Sequence, residues 1–118
     1  MKKSISILGS TGSIGLNSLK IIKKEQKIFK VNILSANKNY KLICKQIIEF
    51  KPNIFVINNP TTFKKVKKKF KNKSTKIINN LEINKNIIKI SEITIAAIPG
   101  IAGLSPTIEM IKKSKKIL

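Results

Sequence analysis

The chain has 118 residues, a mass of 13.2 kDa and, with 25 basic against 5 acidic side chains, a formal net charge of +20. That length suits one domain around one hydrophobic core, and a 42% apolar content is too high for a disordered polycation. Histidine and aspartate are absent and Cys44 is the single cysteine. A disulfide scaffold is therefore excluded, and an all-protein metal site or a Ser/His/Asp or Cys/His triad nearly so.

Every basic residue is lysine. Lysine, isoleucine and asparagine together supply 62 of 118 residues, and all three share adenine- and thymine-rich codons, so genomic base composition is a sufficient source of the charge. Nucleic-acid binders favour arginine for bidentate contacts to phosphate and guanine. Its absence argues for solvated lysine faces and against a specific nucleic-acid partner. A pI near 10.4 still predicts salt-sensitive adhesion to polyanions. Residues 1–3 run straight into a short apolar stretch with no signal-peptide pattern, and no apolar run approaches the roughly 18 residues of a membrane span. A soluble, cytoplasmic product without a membrane partner is expected.

In chain order, residues 4–8 read as a buried strand ending at Gly9. A helix from Ser13 to about Gln26 follows, with Ile14, Ser18, Ile21 and Ile22 as its apolar side. A second strand covers residues 31–34. Tyr40, Ile43, Ile47 and Phe50 then space a second helix from Tyr40 to about Lys51, capped by Asn39 and followed by Pro52. A third strand spans residues 54–57, and Asn59-Pro60 opens a third helix that buries Phe63, Val66 and Phe70 behind a lysine-rich solvent face. A fourth strand covers residues 76–78, an irregular helix residues 81–90, a fifth strand residues 93–98 and a last helix 107 to about 115. Residues 116–118 read as the opening of a sixth strand. A parallel-sheet domain is not expected to stop there with buried, part-paired backbone groups, so the chain is expected to be a truncated piece.

Strand and helix alternating through short connections predict an α/β fold: a Rossmann-like parallel sheet with helices on both faces. Ligands on such sheets sit at the carboxyl ends of the strands. The loop after the first strand is Gly9-Ser10-Thr11-Gly12-Ser13-Ile14-Gly15. Gly9 permits the tight exit, Gly12 lets a phosphate approach the backbone, and Gly15 allows close helix packing, while Ser10, Thr11 and Ser13 are candidate hydroxyl donors. No Gly-Lys-Ser/Thr follows, which excludes a P-loop. After the second strand, Ser35-Ala36-Asn37-Lys38-Asn39-Tyr40 holds no acid for a ribose diol; Lys38 between Asn37 and Asn39 suits a 2′-phosphate, so NADPH is favoured over NADH. Residues 96–104 form a small, glycine-rich loop in which Ala97 and Gly100 are candidates to lie against the cofactor, a compact strand-to-helix turn being the alternative. Cys44 reads as a core residue. The five glutamates are scattered, so no catalytic or metal-ligating residue is assigned.

These three loops, the last followed by Pro106-Thr107, closely resemble the 1-deoxy-D-xylulose 5-phosphate reductoisomerase family, in its amino-terminal NADPH-binding domain. The resemblance runs along the whole chain. It implies NADPH contacts at Thr11, Gly12, Ser13 and Ile14 and again at Asn37, Lys38 and Asn39. The family often has glycine where Asn37 stands, which suggests a left-handed backbone there, and a small aliphatic residue where Pro99 stands. The implied chemistry of the complete enzyme is rearrangement of its sugar-phosphate substrate, hydride transfer from NADPH, and a divalent metal (Mg or Mn) held by carboxylates. The full-length protein is expected to form a homodimer, and residues 1–118 alone to bind NADPH and catalyse nothing. Two alternatives stay open at this point: a semialdehyde-type NADP-dependent dehydrogenase, and a non-catalytic basic remnant that binds polyanions.

Overall fold

Runs of isoleucine, valine and leucine flanked by asparagine, glycine and proline fold into strands, and the stripes between them into helices. The computed structural model describes residues 2–79, 91–96 and 116–117. In chain order these give β1 (Lys3–Leu8), α1 (Ser13–Lys24), β2 (Phe29–Ala36), α2 (Tyr40–Phe50), β3 (Ile54–Ile57), α3 (Pro60–Lys69), β4 (Lys76–Ile78), β5 (Ile93–Ala96) and β6 (Lys116–Ile117). All neighbouring strands are parallel, in the order β4-β3-β2-β1-β5-β6. The first three crossovers step outward in one direction, and the chain then returns to the far side of β1. The reversal beside β1 is where a doubly wound sheet opens a crevice for ligands.

One right-handed sense of crossover puts α1, α2 and α3 on the same face. Leu19 and Ile22 of α1, Ile43, Cys44 and Ile47 of α2, and Val66 of α3, with Phe70 at its end, pack there against Ile5, Ile7, Val31, Leu34, Phe55 and Ile57. Cys44 is thus a core residue. The opposite face carries Leu8, Ile33, Ile54, Val56 and Ile78, with no residue of the three helices among them. Among the described residues helices cover one face; the elements expected over residues 81–90 and 107–115 lie outside the described residues.

Two expectations are corrected. The buried side of α1 is Gly15, Leu19 and Ile22, whereas Ile14 and Ile21 are each 62% exposed. Gly15 sets this rotation, because a Cβ there would stand 2.2 Å from the Gly9 carbonyl oxygen and 2.7 Å from the Ser10 Cα. The helix can reach this distance only with glycine inward, which turns Ile14 and Ile21 out. Second, β2 is longer than residues 31–34 at both ends and contains a bulge: Ile5 pairs with Val31 and Ser6 with Ile33. Asn32 is the extra residue. It is buried, donates to Ser91 Oγ (2.8 Å) and accepts from Asn53 Nδ2 (2.9 Å), while Ser6 Oγ also bonds Ser91 Oγ. That polar group ties the entry to β5 back onto the sheet.

Candidate cofactor-binding site

Three loops leave the carboxyl ends of β1, β2 and β3. After β1 the chain does not turn at once: Gly9 N–H and Ser10 N–H both donate to the Ser35 carbonyl, at 3.0 and 2.8 Å, extending the pairing with β2. Gly9 then takes φ +87°, a left-handed backbone that glycine reaches without strain. Gly12 N–H closes back on the Gly9 carbonyl (3.3 Å), and Leu16 N–H donates to the Gly12 carbonyl (2.8 Å) to begin α1.

The two glycines at the helix start do different work. At Gly15 a side chain is forbidden by the protein's own backbone. At Gly12 an added Cβ would meet nothing closer than the Gly9 oxygen at 3.7 Å, and φ −82°, ψ 175° suits any residue. The fold does not require glycine at position 12. The bare backbone there leaves open the space above the first turn of α1, where amide groups have no intrahelical partner. No side chain caps this helix and no acid occupies its first turn. Gly12, Ser13 and Ile14 are exposed and Thr11 is half-buried. Ser10 departs from the expected role of hydroxyl donor: it is buried, and its Oγ donates to Gln46 Oε1 at 2.7 Å, with Ser35 O 3.3 Å away. Gly9 likewise has its amide and carbonyl engaged within the protein.

The second loop is exposed at Asn37, Lys38 and Asn39. Its shape comes from two local bonds: Tyr40 N–H to the Lys38 carbonyl (2.8 Å), and Leu42 N–H to Asn39 Oδ1 (3.2 Å), which caps α2 as expected. Asn37 keeps a negative φ, since Lys51 is the single non-glycine with positive φ among the described residues. The left-handed backbone expected at Asn37 is thus absent, and the turn forms without it. No acidic side chain stands in this loop. Tyr40 instead has Lys65 and Lys69 of α3 over its ring, at 6.0 and 5.8 Å from the centroid. At the third loop Asn59 caps α3 through Thr62 N–H (3.0 Å), with Pro60 in the first turn.

The model of the 1-deoxy-D-xylulose 5-phosphate reductoisomerase family matches residues 5–118. The chain belongs to that family. Curated reductoisomerases from Pelagibacter ubique and Clostridium novyi are 40% and 42% identical to it, each over 98% of this chain and 30% and 31% of their own length. The chain thus spans less than a third of the relatives it matches. Among solved structures, the Zymomonas mobilis reductoisomerase in complex with NADPH superposes with a TM-score of 0.87 at 27% identity, covering 99% of this chain and 31% of the other. A reductoisomerase in complex with NADPH, fosmidomycin and magnesium gives 0.85 at 28%, covering 98% and 29%. The Rossmann-like fold follows from both the topology and these superpositions.

The structure brings the first two loops of this reductoisomerase-family chain to the same edge of the sheet, after adjacent strands. Ala97 and Gly100 lie outside the described residues. Among the described residues no three His, Cys, Asp or Glu side chains cluster, and no helix is long and apolar enough to cross a membrane. Sequence reasoning missed Gln46 and Ser35, the residues that hold the first loop. The available signal was Gln46 itself, a polar side chain between Ile43 and Ile47 on the buried side of α2.

Proposed function

We propose that residues 1–118 form the NADPH-binding part of a soluble, cytoplasmic 1-deoxy-D-xylulose 5-phosphate reductoisomerase. The complete enzyme rearranges and reduces 1-deoxy-D-xylulose 5-phosphate to 2-C-methyl-D-erythritol 4-phosphate, on the non-mevalonate route to isoprenoids. The observation that carries this reading is the helix start of α1, uncapped, with a glycine at position 12 that the fold itself does not need. A dinucleotide's pyrophosphate fits there: the first-turn amides donate to it, the helix dipole favours its charge, and Thr11 and Ser13 supply hydroxyls. Lys38 neutralises the 2′-phosphate while Asn37 and the amide nitrogen of Asn39 hydrogen-bond it, and the missing acid removes the group that would select NADH.

NADPH supplies the hydride; this part of the protein binds and orients it. The divalent metal and the sugar-phosphate substrate would be held by other parts of the full-length protein, as would any homodimer contact. Residues 1–118 by themselves bind the cofactor and turn over nothing. The test is to incubate the full-length gene product with Mg or Mn, NADPH and 1-deoxy-D-xylulose 5-phosphate and follow nicotinamide absorbance. Substrate-dependent oxidation that prefers NADPH to NADH supports the proposal. NADPH binding without such oxidation would confine the reading to a cofactor-binding protein.

A further inference from the structure

Ser10 has every polar atom turned away from solvent. Its N–H donates to the Ser35 carbonyl (2.8 Å), its Oγ to Gln46 Oε1 (2.7 Å), and its carbonyl accepts from Gln46 Nε2 (2.9 Å). Gln46 sits in the middle of α2, 36 residues along the chain, and both side chains are buried. The carboxamide therefore closes a ring of two hydrogen bonds on a single loop residue. A carboxylate could accept from the hydroxyl but has no donor for the Ser10 carbonyl, and an aliphatic side chain has neither group. Either replacement strands a buried carbonyl or hydroxyl, and that loss exceeds the net value of the bonds themselves.

We infer that Gln46 is a positioning residue for the cofactor: from a neighbouring helix, its carboxamide fixes Ser10 so that the next residues, Thr11 to Ile14, face the pyrophosphate. The inference rests on the NADPH reading above. Gly9 has a left-handed backbone and the loop rests on Gly15 with no side chain between them, so glycine supplies closeness but no restraint on rotation. The restraint comes from the Gln46 pair on one side and the Ser35 carbonyl on the other. Saturating the inward side of the loop leaves the outward amides of α1 as the free donors. A carboxamide is suited to this position, being uncharged, whereas a glutamate would compete with the pyrophosphate for the loop amides.

The test uses the full-length gene product and three probes: NADPH, NADH and adenosine 2′-monophosphate, which carries the 2′-phosphate without a pyrophosphate. Gln46→Met should weaken NADPH and NADH by the same factor, about tenfold for the loss of two buried hydrogen bonds, and leave adenosine 2′-monophosphate unchanged. Ser10→Ala should weaken the dinucleotides less, and the double variant no more than Gln46→Met alone, because the pair acts as one unit. Equal loss for all three probes would show that Gln46 merely supports α2 and would overturn the inference. So would unchanged dinucleotide affinity in folded Gln46→Met. If that variant does not fold, Ser10→Ala and Gln46→Glu carry the same comparison of probes. Wild-type protein that binds adenosine 2′-monophosphate but gains nothing from the pyrophosphate overturns the inference alone. Wild-type protein that binds none of the three overturns the NADPH reading and the inference with it.

Discussion

The loop after β1 and the loop after β2 meet the same ligand in the proposed site, yet they are built by opposite means. The first is fixed by tertiary contacts: backbone pressed onto Gly15, two amides on the Ser35 carbonyl, and Ser10 clamped by Gln46. The second is exposed and shaped by its own neighbours, the Asn39 cap and the Tyr40 to Lys38 bond. The difference follows from what each has to recognise. A pyrophosphate is common to all dinucleotides and is bound by backbone amides, which must be held in place because they carry no side chain to adjust. A 2′-phosphate is a compact monoester with close to two negative charges at neutral pH, and flexible lysine ammonium groups are adequate for it. Affinity is thus assigned to the rigid loop, and cofactor choice to the exposed one.

Breaking the rigid loop should have the largest effect. Gly15→Ala drives a Cβ into backbone rather than into a yielding side chain; a loss of about 3 kcal/mol in unfolding free energy is expected, with dinucleotide affinity lost too, measured by denaturant titration and binding together. Next comes the exposed loop. Lys38→Glu should weaken NADPH about 30-fold, the value of a charge-assisted hydrogen bond turned to repulsion, while NADH changes less than about threefold and the melting temperature stays put. Equal losses for both cofactors would remove the 2′-phosphate role. Gly12→Ala sharpens the contrast with Gly15, since the same added methyl has room in the protein. Stability should fall by no more than about 1 kcal/mol, whereas NADPH and NADH both weaken about tenfold because the methyl occupies ligand space. The smallest effect is at the cap: Asn39→Ala should cost about 1 kcal/mol of stability, read as a modest fall in the melting midpoint.

How far the sequence disclosed this arrangement depended on how local each determinant is. The limits of β3 and β4, the Asn39 cap, the opening of α3 at Asn59-Pro60 and the start of α1 at Ser13 were legible, because apolar runs and capping residues act within a few positions of themselves. The face of α1 was not, because the residue that fixes its rotation is a glycine, which adds nothing to a hydrophobic pattern and draws its meaning from a backbone it touches six residues earlier. The bulge at Asn32 and the outer ends of β2 depend on pairing with β1 and β3, which no single-strand pattern encodes. In the candidate site the tight exit at Gly9 and the close packing at Gly15 were readable. The inward turn of Ser10 and the part played by Gln46 were not, since they require β1, β2 and α2 to be already assembled. Asn37 shows the converse: a left-handed backbone inferred from resemblance was unnecessary once the Asn39 cap and the Lys38 carbonyl had closed the turn.

In the proposed site this edge of the sheet holds a phosphorylated dinucleotide through specific contacts rather than through the +20 charge of the chain. A titration with NADPH and with NADH at low salt and again at about 150 mM salt separates the two, because non-specific attraction between polyions falls steeply over that range. The proposed site predicts NADPH binding that survives the higher salt and remains tighter than NADH. Binding that vanishes with salt, or that is matched by an unrelated polyanion of similar charge, would contradict it.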